Sequence, residues 1–471
     1  MTDISFKNKK VTVMGIGLHG GGVSMIKWLV KQGAKVIATD KRSEDDLKAS
    51  IKEIKKLKNV TVVTEQHRME DFTNVDMVVK NPAIPWSNKY IKMAIEHQVP
   101  VEMDSSLFFK LCESNNIIGI TGTKGKTTTS ALISKMFKYE GLDVVDVGIG
   151  QEPVMTKLEA ITKKTWVVFE MSSWRCSALS RIEKSPHISL VTNIYQDHLN
   201  YYDSLDDYIS DKRNVLLFQK KDDISIFNFD DEMSKVLFED AKGETIFFSL
   251  SPDPSAICSF IREGQIHLKK DEKITAVMPT SEIVIKGSHN LYNACAMCAV
   301  GLSIGVSLES MKKTLKKFTG VVHRFETIDN IDGRKFINDA TATTPESAIA
   351  GINSVIGQIH LICGGSDKNL VLDNFAKKIS ETKNIKGIYL LKGTATAKLF
   401  KKIDEHGGID KVLNTYDNIE QAVFDAFQKT QNGDTILLSP GLASFGMFAN
   451  EFERGEKFIN AVEKIRGANT K

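Results

Sequence analysis

Short β-branched runs that stop at Gly or Asp alternate along this chain with longer stretches whose apolar residues recur at helical spacing. That pattern predicts α/β units built on parallel sheets. The first unit reads VTVM (11–14), a glycine-rich turn GIGLHGGG, a helix on which Ile26, Leu29 and Val30 share one face and which stops at Gly33, and then KVIATD (35–40). Strands VTVV (60–63) and MVVK (77–80) continue the series. A second series opens at NIIGITGTKGKTTT (116–129) and runs through WVVFEMSSW (166–174) and ISLVTNI (188–194). It includes β-like pieces up to IVIKG (283–287) and closes on a helix over NLYNACAMCAVGLSIGV (290–306). The third begins near HRFET (323–327), with strands KFIND (335–339), IHLICGG (359–365), GIYLLKG (387–393) and DTILLSPG (434–441). Boundaries near 105–115 and 318–323 give domains over 1–110, 111–321 and 322–471.

A length of 471 residues suits three domains, each able to bury its own core. Charged residues at 26% and hydrophobic ones at 42% are ordinary globular values, which excludes disorder, collagen and coiled coil as the description of the whole chain. With 62 basic against 59 acidic residues the net charge is only +3, too small for a dedicated nucleic-acid or anionic-membrane binder. The six cysteines are scattered through apolar segments, as buried free thiols in a reducing compartment are. The spacing Cys295-Ala-Met-Cys298 lies in an Ala-rich helix without a second pair and reads as packing, and the lysine runs at 53–58 and 311–317 read as solvated helix faces. The N-terminal MTDISFKNKK has no apolar signal core, and nowhere do 18 uncharged apolar residues run together. The expectation is a cytoplasmic enzyme that neither inserts in a membrane nor binds nucleic acid, acting as a monomer on small molecules.

Gly15, Gly17 and Gly20 form G-x-G-x-x-G between a strand and a helix, and Asp40 ends the next strand about twenty residues on. Such a turn brings backbone N–H groups to a pyrophosphate, and Asp40 accepts from a ribose or uracil group; NAD fits the same fingerprint. More specific is the loop Thr121-Gly122-Thr123-Lys124-Gly125-Lys126-Thr127-Thr128. Ile120 stands where strict Walker spacing needs glycine, yet the working end Gly-Lys-Thr is intact. Backbone amides from Gly122 to Thr128 cradle β- and γ-phosphates, Lys126 neutralises them, and the Thr127 hydroxyl can ligate Mg²⁺. Glu170, at a strand end before Ser172 and Ser173, is the acidic oxygen ligand that a phosphate-bound Mg²⁺ needs. Asp197-His198-Leu199-Asn200 follows the strand ISLVTNI, with Lys212 downstream in a helix.

The order of these motifs, continued by Gly287-Ser288-His289-Asn290-Leu291-Tyr292-Asn293, His323-Arg324-Phe325-Glu326 and Asn338-Asp339, resembles the Mur ligase family over nearly the whole chain. Gly364-Gly365-Ser366-Asp367-Lys368, the run Leu438 to Phe445 and Glu453-Arg454-Gly455 resemble its D-glutamate-adding members most. The resemblance implies a Rossmann-like domain for a UDP-muramoyl precursor, a central P-loop ATPase domain with a parallel sheet, and a Rossmann-like C-terminal domain that closes over ATP and delivers the amino acid. It implies amide ligation through an acyl phosphate with two Mg²⁺. Lys126, Thr127, Asn290, Asn293, Arg324 and Asp339 would hold ATP. Glu170 and His198 would hold Mg²⁺, and Lys212 would be carbamylated to supply a further anion. Lys126, His198 and Lys212 would form the catalytic set. Gly15, Gly17, Leu18, His19, Asp40, Lys41, Arg42, Asn81, Ala83 and Ser172 match precursor positions, and Thr343, Lys368, Ser444 and Phe445 match amino-acid positions. The chain departs from the family pattern at Val147-Gly148-Ile149-Gly150, Arg175, Thr341 and the aromatic Phe452, all around the muramoyl and amino-acid sites. The rival readings are a Mur ligase paralogue that adds a different amino acid, L-glutamate or another, a ligase of the folylpolyglutamate-synthase type, and, more distantly, an NAD-dependent dehydrogenase using Gly15 to Asp40.

Overall fold

The structure, a computed structural model, describes residues 4–17, 20–149, 153–195, 201–202, 204–251, 257–367 and 370–469. The chain forms two compact units, Met1–Phe318 and Thr319–Lys471. In the first unit, β1 (Lys10–Met14), β2 (Lys35–Thr39), β3 (Val60–Val63), β4 (Met77–Lys80) and β5 (Val101–Glu102) form an all-parallel sheet in the order β3-β2-β1-β4-β5. Helix Gly21–Lys31 covers it with Ile26 and Leu29 fully buried and Val30 packed at the edge of the same core.

A second sheet in this unit has nine strands: β6 (Ile117–Thr121), β7 (Val144–Val147), β8 (Trp166–Glu170), β9 (Ile188–Val191), β10 (Ile224–Asn228), β11 (Glu244–Phe248), β12 (Cys258–Arg262), β13 (Gln265–Lys270) and β14 (Lys273–Pro279). Their order is β14-β13-β12-β11-β10-β9-β6-β8-β7. All five residues of β6 are buried, as a central parallel strand covered on both faces requires. The sheet is parallel except at one edge, where β12, β13 and β14 form an antiparallel meander. Ile283 to Gly287, expected as a β-like piece, is not a strand. Ile283 and Ile285 are buried in alternation, but the segment joins no sheet, and its Val284 N–H bonds the Leu315 carbonyl instead. Helix Ser288–Ile304 is buried almost all round from Asn293 to Gly301, packing on helix Lys126–Glu140 and on the strands from β10 to β13.

The second unit carries β15 (Glu326–Ile331), β16 (Arg334–Asn338), β17 (Ile359–Gly364), β18 (Ile385–Leu391), β19 (Val412–Tyr416) and β20 (Thr435–Leu438) in the order β15-β16-β20-β17-β18-β19. Only the edge pair β15–β16 is antiparallel. Two hydrophobic clusters lie against this sheet, one built on Leu361, Phe375 and Leu399, the other on Phe336, Ile436 and Phe458 of the C-terminal helix Glu451–Asn469. The six cysteines are free thiols, and all but Cys112 are buried. Among the described residues no helix is long and apolar enough to cross a membrane.

Candidate active site

Parallel register assembles the first group of residues. Met14 pairs with Thr39 on one side and Lys80 on the other, so Gly15, Asp40 and Asn81 leave three adjacent strands at one level of the carboxyl edge. Asp40 is buried and accepts the Gly17 N–H on Oδ2 and the Arg42 N–H on Oδ1, both at 3.1 Å. Lys41 and Arg42 are exposed beside it, and Asn81 Oδ1 accepts the Ala83 N–H at 3.0 Å. Leu18 and His19 lie outside the described residues.

The same logic works in the second sheet, where Thr121 pairs with Val191 and Ile120 with Glu170. Gly122 has φ 136°, and a Cβ there would lie 2.0 Å from Thr192 Oγ1, so only glycine lets the loop turn this close to its neighbour. The Thr192 hydroxyl donates to the Lys124 carbonyl at 2.7 Å. Asn193 clasps the same peptide, accepting the Lys124 N–H at 2.9 Å and donating to its carbonyl at 3.0 Å. Helix Lys126–Glu140 starts directly after this loop, and Lys126 Nζ folds back to donate to the Gly122 and Thr123 carbonyls at 2.9 and 3.0 Å. Thr128 is half-buried on the first turn. Thr129 donates to Asn293 Oδ1 at 3.1 Å, and Asn293 Nδ2 donates to Asn290 Oδ1 at 3.1 Å, so helix Ser288–Ile304 brings both asparagines to the loop.

Thr127 Oγ1 donates to Glu170 Oε1 at 3.0 Å, while Glu170 Oε2 is buried without a hydrogen-bond partner among the described residues. A buried carboxylate oxygen left unpaired is costly until a cation or donor meets it. Together with the Thr127 hydroxyl it makes an all-oxygen pair beside the loop, which fits Mg²⁺, an ion that keeps several waters and needs few protein ligands. His198, with Asp197, lies outside the described residues. Helix Leu205–Leu217 is capped by Ser204, whose hydroxyl accepts the Asp207 N–H at 3.1 Å, and carries Lys212 beneath the loop. Lys212 is 1% exposed; its Nζ donates to the Gly122 carbonyl at 2.9 Å and lies 4.5 Å from the centroid of the Tyr208 ring. Tyr208 in turn sets its hydroxyl 3.0 Å from Thr123 Oγ1.

Ser172 Oγ caps helix Ser173–Ser177 by accepting the Arg175 N–H at 3.3 Å. The Arg175 guanidinium donates to Asp104 Oδ2 at 3.0 and 3.1 Å and to the Gly148 carbonyl at 3.3 Å.

In the second unit, Leu438 pairs with Asn338 on one side and Ile362 on the other, so the loops after β16, β17 and β20 leave side by side. Asp339 is buried, and burial pushes its carboxyl up to about 7, partly offset by donation from Ser439 Oγ at 2.8 Å and the Phe325 N–H at 3.1 Å. Arg324 is exposed between His323 and Phe325, whose φ values of 62° and 45° hold the left-handed region. The Ala342 carbonyl accepts the Gly441 N–H at 2.8 Å, tying the loop of half-buried Thr343 to that of Ser444. Ser444 is buried and its hydroxyl has no partner among the described residues; the next carbonyl, of Phe445, accepts from Ser366 Oγ. Lys368 lies outside the described residues.

Four participants escaped the motif reading. Thr192 and Asn193 are signalled only by a polar pair closing an apolar strand, and Tyr208 only by its place one helical turn before Lys212. Lys80 lay unremarked within the strand MVVK. Arg454 was noted in a motif without a role; it is fully buried and donates to the Ala340 carbonyl at 2.8 Å and the Leu442 carbonyl at 3.2 Å, binding two of the loops together.

Three family models match in sequence along the chain: the MurD-like N-terminal domain of Mur ligases over residues 9–102, the Mur ligase middle domain over 120–301, and the Mur ligase glutamate ligase domain over 323–442. A UDP-N-acetylmuramoylalanine–D-glutamate ligase of Roseiflexus sp. (strain RS-1) is 35% identical, covering 97% of this chain and 99% of the relative. The enzyme of that name from Ligilactobacillus salivarius is 34% identical over 98% and 97%. Among solved structures, the UDP-N-acetylmuramate–alanine ligase MurC of Thermotoga maritima superposes with a TM-score of 0.60 at 18% identity, covering 97% of this chain and all of that one. A pseudomurein peptide ligase type C from Methanothermus fervidus gives 0.55 at 17%, with coverage of 97% and 100%. These structures share the fold; the full-length sequence likeness carries the kinship. The chain belongs to the Mur ligase family, with an N-terminal domain of the MurD-like type.

Proposed function

We propose that this protein is an ATP-dependent ligase that joins D-glutamate to the carboxylate of UDP-N-acetylmuramoyl-L-alanine, in the cytoplasmic assembly of peptidoglycan precursors. The observation that carries the reading is the Gly-Lys-Thr loop beside Glu170, whose second oxygen is buried and unpaired among the described residues, in a chain that matches D-glutamate ligases over nearly its whole length. A carboxylate is a poor acyl donor until its oxygen becomes a phosphate leaving group. Transfer of the γ-phosphoryl group to the precursor carboxylate supplies that, and attack by the amine of the amino acid then expels phosphate.

In this reading residues 1–110 bind the precursor through Gly15, Gly17, Leu18, His19, Asp40, Lys41, Arg42, Asn81 and Ala83, with Ser172 added from the domain over 111–321. Gly122 to Thr128, Asn290 and Asn293 hold ATP, and Lys126 draws its β- and γ-phosphate charge. Thr127, Glu170 and His198 would hold Mg²⁺, which when bound supplies the positive charge that lets two anions meet. Lys212, carbamylated on Nζ, would present oxygen where an ammonium would repel the metal. The domain over 322–471 adds Arg324 and Asp339 to the nucleotide and holds the amino acid with Thr343, Lys368, Ser444 and Phe445.

A phosphate-release assay that crosses UDP-muramoyl acceptors with free amino acids tests the proposal. Stoichiometric phosphate is expected with UDP-N-acetylmuramoyl-L-alanine plus D-glutamate, and L-glutamate should be at least tenfold poorer. Equal or better turnover with another amino acid, or none with any muramoyl acceptor, rejects it.

A further inference from the structure

Lys80 ends β4, directly before the turn Asn81–Ala83, and is 1% exposed. No carboxylate among the described residues comes within ion-pair distance of its Nζ. The ammonium instead donates to the Ile84 carbonyl at 2.8 Å and meets Met103 Sδ at 3.0 Å. It also stands 4.4 Å from the centroid of the Trp86 ring, and the Arg181 guanidinium stands 4.7 Å from the same centroid. The indole Nε1 donates to Ser177 Oγ at 2.9 Å, on the helix that Ser172 caps. A methionine would fill such a site without leaving a charge in low dielectric, so stability alone does not explain an ammonium there.

The partners of Lys80 show what the charge does. Ile84, whose carbonyl it holds, places Cδ1 only 3.2 Å from where a Cβ on Gly15 would stand, and Asn81 Cβ lies 2.8 Å from that point. The segment from Asn81 to Trp86 is therefore the floor on which the first glycine of the nucleotide-type turn rests. Lys80 staples that segment at Ile84 and grips its far end at Trp86, which is fastened to the Ser172 helix. From these contacts we infer that Lys80 is a positioning residue: it holds the 81–86 segment against Gly15, and so shapes the site for the diphosphate of a nucleotide-linked substrate. This rests on the reading of the Gly15 turn as the precursor site, and goes beyond it in naming what keeps that site formed. Burial, opposed by the charges of Asp104 and Asp211 and reinforced by Arg181, brings the Lys80 ammonium down to about 7. The grip on Trp86 therefore loosens as the amine loses its proton above neutrality.

The test is titration calorimetry of the full-length protein with UDP-N-acetylmuramoyl-L-alanine, paired with amide hydrogen exchange of the unliganded protein at pH 6 and pH 8.5. Lys80→Met is expected to weaken precursor binding at least tenfold, leave ATP binding within twofold, and raise exchange at 81–86 and at Gly15–Gly17 without lowering the melting temperature. Wild-type binding should weaken severalfold from pH 6 to pH 8.5, and that dependence should be gone in Lys80→Met. Trp86→Leu, which removes the half-buried ring that Lys80 and Arg181 face while leaving Lys80 its bond to the Ile84 carbonyl, should reproduce the loss of precursor affinity and serves if Lys80→Met does not fold. Unchanged precursor affinity in either folded variant, or equal losses for ATP and precursor, overturns the inference. Calorimetry and exchange together separate two kinds of failure. A wild type that ignores the precursor refutes the substrate reading, whereas 81–86 protection that is the same with and without the Lys80 charge refutes the staple.

Discussion

At the scale of single residues the strongest commitment is Lys212. Its amine is sealed under the phosphate-type loop with the Gly122 carbonyl at 2.9 Å, so it is not a solvated lysine of a polar helix. Under the carbamate proposal Lys212→Ala should lose nearly all ligation and regain part of it with added acetate. Lys212→Arg should be inactive without rescue; phosphate release near the wild-type rate in Lys212→Arg defeats the proposal. Asp339 offers a test that needs no substrate. Its folded pKa of about 7 lies above the ordinary 3.8, so between pH 4 and pH 7 the folded unit keeps a proton that the unfolded chain has released. Stability should therefore fall as pH rises through that window, by up to about 1 kcal/mol per pH unit. Asp339→Asn should flatten the slope, as read from the melting temperature against pH. Residue types and spacing were legible for Lys126, Thr127 and Glu170, but not the atoms that meet. Thr127 and Glu170 are 43 positions apart in sequence, and nothing in either motif tells which carboxylate oxygen is left unpaired.

Elements are held by contacts that composition cannot rank. Lys411 Nζ reaches back to the Ser380 and Thr382 carbonyls at 2.6 and 2.9 Å, meeting the unsatisfied end of helix Asp373–Glu381 with a cation. Lys411→Ala should cost the second unit about 1–2 kcal/mol in a denaturant melt, because it removes three charge-assisted bonds, to the Ile379, Ser380 and Thr382 carbonyls, and the favourable end-charge. Lys411→Arg should recover part of that, and a loss below a few tenths would show the lysine to be a bystander. Strands such as VTVM and IHLICGG were legible because parallel strands covered on both faces read as unbroken apolar runs. The meander β12–β14 was not. Its strands carry the alternating apolar and charged residues of a half-exposed edge, as in QIHLKK, and alternation says nothing about which neighbour a strand joins. Ile283 to Lys286 misled for the complementary reason: Ile283 and Ile285 alternate inward as they would in a strand, yet the segment packs against helix Leu308–Lys317 without a ladder.

For the whole molecule, the division into Met1–Phe318 and Thr319–Lys471 sorts the proposed ligands. The precursor residues from Gly15 to Ser172 and the phosphate-type loop all belong to the first unit, whereas Thr343, Ser444 and Phe445 belong to the second. A ligand stabilises the unit that binds it by RT ln(1 + [L]/Kd), about 2.7 kcal/mol at a hundredfold excess over Kd. Calorimetry should then show UDP-N-acetylmuramoyl-L-alanine raising the unfolding temperature of the first unit and D-glutamate raising that of the second. Within the first unit the two loops proposed for nucleotides stand on different sheets, Gly15 to Gly17 after β1 and Gly122–Gly125 after β6. Lys126→Ala should therefore abolish phosphate release, by about a thousandfold or more, since it removes the charge that faces the transferring group. It should leave the thermal shift given by the precursor intact, because its Nζ bonds the carbonyls of its own loop, which follows a strand of the second sheet. If the precursor shift disappeared together with turnover in Lys126→Ala, the two loops would have to serve one ligand, and the assignment of the first sheet to the UDP moiety would fall.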